Sequence, residues 1–152
     1  MGRCVFCKIV AGELPASVVY EDARHLALMD LYPWRPGHVL VIPKAHSVRV
    51  RELDEDARAR LFTLGARVAD AVRASSIPCD DLHFAINDGP ASNQSVPHVH
   101  LHVLPRTRGD LPRLLLSLAT RPLIALRLLR PAPRATLDRQ AAELRSALVF
   151  PS

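Results

Sequence analysis

Long apolar runs are missing from this chain. Its 152 residues contain no stretch of about 18 consecutive apolar side chains, the length that a helix needs to cross a bilayer. The first residues also lack the apolar segment of a secretory signal. We therefore expect a cytoplasmic protein with no membrane partner, and the length suits one domain with its own hydrophobic core.

Cysteine is scarce, with three residues in all. Cys4 and Cys7 form a close pair, whereas Cys79 stands alone. Without a secretory signal, such a pair indicates metal binding or redox chemistry rather than a structural disulfide. Redox catalysis is the weaker interpretation because no βαβ pattern follows the pair.

Lysine is nearly absent, since 18 of the 20 basic residues are arginine. Before residue 104 the chain carries 11 basic and 12 acidic side chains, and from residue 104 onward it carries 9 and 3. This asymmetry would suit nucleic acid or another anionic partner. We favour an arginine-covered amphipathic surface instead, because charge asymmetry alone is weak evidence, and we do not expect nucleic acid as a partner.

The periodicity of the apolar residues predicts strands on either side of one long helix. Short apolar segments at 17–20, 25–29, 39–42 and 82–86 are typical of strands. Between them, apolar residues recur every three or four positions from Asp54 to about Ala74, with Asp54 as the predicted N-cap. This order favours an α+β domain with an antiparallel sheet and a helix packed on it.

The most informative stretch is a run of three histidines at alternate positions, His98, His100 and His102. A period of two is the period of a strand, so the three rings would share one face while the aliphatic residues between them face a core. A solvent-facing strand that is merely rich in histidine is the alternative, but three of the seven histidines fall within five residues. The pattern places no Asp or Glu on that face, which makes carboxylate acid–base catalysis the less favoured chemistry.

The pattern His-φ-His-φ-His-φ-φ, with φ apolar, resembles the signature of the histidine triad (HIT) superfamily of nucleotide hydrolases and transferases. The resemblance extends over about residues 4–110, and the segments 36–46 and 87–105 also match the family. Within the family, the chain is most similar to the bacterial Hint-like branch. It implies a five-stranded antiparallel sheet with a central helix packed on it, and a homodimer. We expect residues 1–110 to form the HIT domain and residues 111–152 a helical, basic and apolar C-terminal arm that packs on the domain or on the dimer partner.

The resemblance also implies roles at a phosphate site. His100 matches the nucleophile that attacks the α-phosphorus of a purine nucleotide conjugate and forms a nucleotidyl-histidine intermediate. His102 would donate a hydrogen bond to a phosphate oxygen, and Ser95 would relay a proton to the leaving group. Two further loop residues, Asn87 and Gln94, match positions that contact the phosphate region. The candidate catalytic residues are therefore Ser95, His98, His100 and His102.

For the nucleoside, the resemblance implies that Asp30 accepts hydrogen bonds from the ribose hydroxyls. Five apolar residues would sandwich the base: Phe6, Ile9, Leu28, Leu31 and Leu40. Ordinary core packing is the alternative for all five, and for Leu28 and Leu40 it is nearly as favoured as a base contact. His38 matches a fourth histidine near the family's triad, where a buried orienting role and a direct role are equally favoured. Asn93 departs from the glycine common in relatives, although asparagine tolerates the left-handed conformation better than most residues.

A second site is implied by four residues of the zinc-binding type. Bacterial triad proteins and the related galactose-1-phosphate uridylyltransferases have a structural site that matches Cys4, Cys7, His46 and His98, and two cysteines with two histidines complete a tetrahedral zinc set. The alternative is a reduced, metal-free cysteine pair.

For the protein as a whole, we expect a nucleotidyl hydrolase acting on a phosphoramidate or a dinucleoside polyphosphate. The alternative is a nucleotide-binding regulatory protein with incidental slow turnover.

Overall fold

The computed structural model describes residues 4–120, 123 and 128–149. It is an α+β structure with one five-stranded antiparallel sheet in the order β1-β2-β3-β5-β4. The strands are β1 Val18–Glu21, β2 His25–Met29, β3 Val39–Pro43, β4 Asp81–Ile86 and β5 Leu101–Arg106. The helices are α1 Val5–Val10, α2 Glu55–Arg73, α3 Leu111–Ala119 and α4 Arg134–Ala147, and short 3-10 turns lie at Val50–Glu52 and Pro90–Ser92.

The long helix α2 begins where the sequence predicts. The side chain of Asp54 accepts a hydrogen bond from the backbone N–H of Ala57, which satisfies a donor that the first helical turn would leave unpaired. The apolar face of α2 is buried against the sheet. A Cβ at Gly65 would lie 2.5 Å from Leu101 Cδ2, so glycine lets the helix approach β5 closely.

The main core fills the space between the sheet, α2 and α4. Every residue of β2 and β3 is buried, as expected for continuous apolar strands at the centre of a sheet. Leu137 and Leu144 bring α4 into this core, and Asp138 accepts a hydrogen bond from Ser17 Oγ at 2.5 Å. The C-terminal helix therefore packs on the body of its own chain.

The segment between β5 and α4 is covered less completely. In α3 only Leu114 is buried, whereas Leu115 and Leu116 are 55% and 65% exposed in the single chain. Residues 121–122 and 124–127 of the predicted arm lie outside the described residues. Within the part of the chain that the structure describes, no helix is both long and apolar enough to cross a membrane.

The predicted triad strand begins later than its sequence pattern indicates. The ladder of β5 starts at Leu101, which pairs with Val41 of β3 and Ile86 of β4. Residues 98–100 precede the strand, because β4 ends at Ile86 and the N–H of Val99 instead bonds to the carbonyl of Ser47. The alternation nevertheless persists, since Val99 and Leu101 enter the main core as predicted.

A smaller apolar cluster covers the opposite face of the sheet. Helix α1 supplies Phe6, which packs with residues of β2 and β3. The Phe6 ring contacts the rings of His98 and His100, with centroids 5.6 and 5.3 Å away. His98 and His100 therefore lie beneath α1, and none of the three histidines is open to solvent.

Candidate nucleotide and metal sites

The hydrogen bond of His100 fixes which of its ring nitrogens can react. Its Nδ1 lies 2.7 Å from the carbonyl oxygen of His98, and a carbonyl can only accept, so Nδ1 carries the proton. In the neutral ring Nε2 then keeps its lone pair. His100 as a whole is buried, at 4% exposure.

His102 belongs to a chain of contacts that also contains His38 and Asp30. His38 Nε2 lies 2.9 Å from His102 Nδ1, and the backbone N–H of Trp34 donates to His38 Nδ1 at 3.3 Å. With His38 Nδ1 as acceptor, its Nε2 donates to His102 Nδ1, which leaves the proton of neutral His102 on Nε2. His102 can therefore offer an N–H to an anionic oxygen.

Asp30 brings a carboxylate close to the triad, which the strand pattern alone did not anticipate. One of its oxygens accepts from the backbone N–H of Tyr32 at 2.9 Å, and the other lies 3.3 Å from His38 Nδ1. A proton arriving at that nitrogen would face the carboxylate and be stabilised by it. Asp30, His38 and His102 are all buried, so this interaction acts in a weakly screened environment.

Trp34 covers the other side of the same pair of rings. Its indole is stacked on His102 with centroids 4.8 Å apart and an interplanar angle of 17°. The indole is also 5.0 Å from the His38 ring. Sequence reasoning missed this residue, because nothing in the local pattern of a Pro-rich turn indicates a contact 68 residues along the chain.

The loop before the triad has the conformation that its unusual asparagine demands. Asn93 has φ 59° and ψ 36°, and it is the one non-glycine residue with positive φ among those that the structure describes. Asparagine is among the few residues that adopt this left-handed region at modest cost. The loop turn therefore forms with asparagine, rather than glycine, at this position.

The predicted phosphate-contact residues lie along this loop and differ in the hydrogen bonds that they make to the rest of the chain. Gln94 donates from Nε2 to the carbonyl of Val48 at 2.8 Å, and Asn87 Nδ2 lies 3.4 Å from the carbonyl of Asn93. Ser95 is exposed. Their proposed contacts with a phosphate stay predictions.

Arg49 is a loop contact that the sequence did not indicate. Its guanidinium donates to the carbonyl of Asp88 at 2.9 Å, and the backbone N–H of Val50 donates to the Asp88 carboxylate. A Cβ at Gly89, where φ is 120°, would lie 1.8 Å from Arg49 Nη1. Glycine at this position therefore allows a cation to lie directly against the backbone of the loop.

The predicted nucleoside residues divide between interior and surface. Phe6, Leu28 and Leu40 are buried in the smaller apolar cluster, and Ile9 packs against it. Leu31 is 39% exposed. Leu28 and Leu40 therefore pack in the core as Phe6 does, and a base contact at any of these positions stays a prediction.

Cys4, Cys7, His46 and His98 converge on one point, with ligand atoms that all lie within 4.8 Å of one another. His98 Nδ1 lies 3.3 Å from His46 Nδ1 and 3.4 and 3.7 Å from the two sulfurs, and Cys7 Sγ lies 3.3 Å from His46 Nδ1. Around a tetrahedral zinc, ordinary bond lengths give edges of about 3.3 Å between nitrogens and about 3.6 Å between nitrogen and sulfur. The four residues fit a tetrahedral zinc ion.

The surroundings of the cluster support that fit. His98 Nε2 donates to the carbonyl of Pro43 at 2.8 Å, so Nδ1 of the neutral ring has its lone pair directed at the cluster. Burial lowers the pKa of His98, which favours this neutral ligand form. Burial and the adjacent Cys4 raise the pKa of the Cys7 thiol, an effect that a bound cation would reverse.

The family model described as "HIT domain" matches residues 11–109. A HIT-like protein of Mycobacterium tuberculosis is 50% identical over 107 residues, which span 70% of this chain and 74% of that protein. The adenosine 5'-monophosphoramidase of Schizosaccharomyces pombe is 36% identical over 107 residues, 70% of this chain and 77% of that protein. A solved structure, a zinc-bound histidine triad family protein from Mycobacterium smegmatis, has a TM-score of 0.77 and 38% identity, covering 96% of this chain and 93% of that one.

Proposed function

This chain belongs to the HIT domain family, and from that premise we propose that it is a nucleotidyl hydrolase acting on the α-phosphorus of a purine nucleotide conjugate. The proposed conjugates are phosphoramidates and dinucleoside polyphosphates. The name of the relative from Schizosaccharomyces pombe supports the phosphoramidates.

The observation that carries the proposal is the hydrogen bond from His100 Nδ1 to the His98 carbonyl, at 2.7 Å. It supports Nε2 of His100 as the nucleophile. The Nε2–phosphorus bond forms as the bond from phosphorus to the leaving nitrogen or oxygen breaks, and Ser95 relays a proton to the leaving atom. Water then cleaves the Nε2–phosphorus bond and releases the mononucleotide, so one difficult substitution becomes two easier ones.

Donors stabilise the charge that develops on the phosphate oxygens. His102 supplies its Nε2–H, in the tautomer that its contact with His38 favours. In this proposal Asn87 and Gln94 hold the phosphate and the leaving chain, and His98 orients His100 through its backbone carbonyl. The ribose hydroxyls bond to Asp30.

Apolar residues enclose the purine in this proposal. Phe6 and Ile9 of α1 form one side, and the exposed Leu31 at the end of β2 forms the rim. Apolar walls of this kind bind a base through burial and stacking rather than through specific hydrogen bonds.

We also propose that the four-residue cluster holds a structural zinc ion. Cys4 and Cys7 would bind as thiolates and His46 and His98 through Nδ1, which leaves no open coordination position. When bound, zinc supplies a rigid cross-link and no reactive water. That cross-link would fix His98, and with it the carbonyl that orients His100.

A homodimer is proposed from the apolar surface that the single chain leaves uncovered. Leu115 and Leu116 of α3 are more than half exposed, and Phe62 of α2 is 54% exposed. Exposed apolar side chains of this kind suit an interface, and two-fold dimers are the commonest symmetric assembly. Light scattering of the full chain tests this proposal, and a monomer at micromolar concentration would overturn it.

The hydrolase is tested with a panel of adenosine and guanosine phosphoramidates and dinucleoside polyphosphates. We expect His100→Ala to lower turnover by several orders of magnitude, while His83→Ala, which changes an exposed histidine of β4, retains it. Rapid quenching of the wild-type reaction should reveal protein carrying one covalent nucleotidyl group by intact mass. Wild-type turnover in His100→Ala contradicts the mechanism, and tight nucleotide binding by a wild-type protein without turnover would favour the regulatory alternative.

A further inference from the structure

The indole of Trp34 covers a triad imidazole that the proposed mechanism uses as a donor. Its near-parallel stack on His102, at 4.8 Å and 17°, is the closest to coplanar of the ring contacts that the described residues make around the triad. Offset stacks of this kind restrict the rotation of both rings. A restricted imidazole presents its Nε2–H in one direction.

The backbone of Trp34 acts on the same pair of histidines. Its N–H donates to His38 Nδ1 at 3.3 Å, and this donor favours the His38 tautomer that gives a proton to His102. Trp34 therefore acts on both histidines, on His102 through its side chain and on His38 through its main chain.

Contacts from distant parts of the chain hold Trp34 in this place. Ser117 of α3 donates from Oγ to the Trp34 carbonyl at 3.3 Å. The next residue, Arg35, lies 3.2 Å from the carboxylate of Asp110, which is 3% exposed. These contacts restrain the chain at Trp34 and at the residue that follows it.

A cavity of about 290 Å³ lies beside Trp34, between the turn that carries it and the C-terminal arm, and Tyr32 and Ser117 are among its other lining residues. His102 does not line this cavity. The stack on His102 and the backbone contacts therefore restrain Trp34 beside this cavity.

We propose that Trp34 is a positioning residue that holds His102 in the orientation and tautomer required of a phosphate donor. The inference rests on the proposed function for its catalytic consequence, but the stack itself is independent of any activity. Trp34 acts through His102, so its loss should slow the chemical step more than it weakens substrate binding.

The first test needs no substrate, because Trp34 is the single tryptophan of the chain. Replacing His102 by Ala removes its stacking partner, so we expect the indole emission to change in wavelength and intensity. His102→Gln serves as a second variant in case the smaller side chain impairs folding, and circular dichroism checks both. His83→Ala is the matched control, because His83 is an exposed histidine of β4. Emission that responds no more to the folded His102 variants than to His83→Ala would overturn the stack.

The second test compares Trp34→Phe with Trp34→Leu in steady-state kinetics on the best substrate of the panel. We expect Trp34→Leu to lower kcat about 10- to 100-fold with KM changed less than about threefold, on the scale of a misplaced catalytic group. Trp34→Phe keeps an aromatic ring and should recover most of kcat. Phe84→Leu, the same type of change at an exposed phenylalanine of β4, should leave both parameters unchanged.

Each other outcome has a definite meaning. Equal losses of kcat in Trp34→Phe and Trp34→Leu would show that the stack contributes nothing to turnover. A raised KM at unchanged kcat would make Trp34 a substrate contact. Either result overturns the inference. A wild-type protein with no turnover on any substrate would contradict the proposed function, while the emission test would still decide whether Trp34 stacks on His102.

Discussion

The metal cluster gives the prediction with the largest expected effect on stability. Cys7→Ser removes one of its four ligands, and Cys79→Ser is the matched control because Cys79 lies outside the cluster. A zinc ion would connect Cys4 to His98, which are 94 residues apart in sequence. Closing a loop of that length by a cross-link stabilises a protein by about 4–5 kcal/mol in the chain-entropy description.

The structure shows why the measured effect should be smaller than that estimate. Phe6 packs against the rings of His98 and His100, so α1 stays near the triad even without a metal ion. Each kcal/mol shifts the unfolding temperature of a domain of this size by about 2–4 °C, so we expect Cys7→Ser to lower it by at least about 5 °C. Chelation of the wild-type protein should have the same effect.

The assay is thermal unfolding of protein prepared under reducing conditions without chelators, together with metal analysis. We expect about one zinc ion per chain in the wild type and in Cys79→Ser, and none in Cys4→Ser/Cys7→Ser. The reasoning is refuted if wild-type protein offered zinc binds none. It is also refuted if Cys7→Ser and Cys79→Ser unfold at the same temperature.

Three further predictions concern the triad, the loop and a buried ion pair. His102→Ala should lower kcat about 10²- to 10³-fold, the scale of losing one preorganised donor, and a loss below about threefold in steady-state kinetics would argue against that role. Asn93→Ala should lower the free energy of unfolding, measured in urea, by about 1 kcal/mol, whereas Asn93→Gly should change it little. The reason is that only alanine places an unsuited side chain in the left-handed region, and equal effects of the two substitutions would contradict it. The side-chain hydrogen bond from Arg106 lowers the pKa of Asp110 to about 2, with Thr107 N–H and Arg35 adding to the effect. Because the folded pKa lies below the unfolded value, this stabilisation is complete above about pH 4 and is lost as the pH falls through about 2. The stability difference between wild type and Asp110→Asn should therefore shrink over that range, and a difference independent of pH would contradict the ion pair.

The parts of the fold that follow from local physics were predictable from the sequence. The prediction of a helix from Asp54 to about Ala74 is confirmed as Glu55–Arg73, because capping and apolar periodicity act within a few residues. The burial of Val99 and Leu101 on the face opposite the histidines is likewise confirmed, since side chains alternate in any extended segment. The α+β class and the five-stranded antiparallel sheet are confirmed as well.

The start of the triad strand was not predictable in this way. A run of alternating residues shows where the backbone is extended, but a strand also needs a partner that donates and accepts alongside it. Since β4 ends at Ile86 and Val99 bonds to Ser47, the ladder begins only at Leu101. Neither partner is evident from the residues around the triad.

The sequence by itself determined the chemistry that this protein carries: the alternating histidines, the cysteine pair and an asparagine able to adopt a left-handed turn. Only the tertiary structure decided which residues contact these groups. It brought Asp30 and His38 to His102, stacked Trp34 on that ring and laid Arg49 against Gly89. The physical reason is that burial, stacking and hydrogen bonding depend on distance in space, and these residues become neighbours only when the sheet pairs strands that are far apart along the chain.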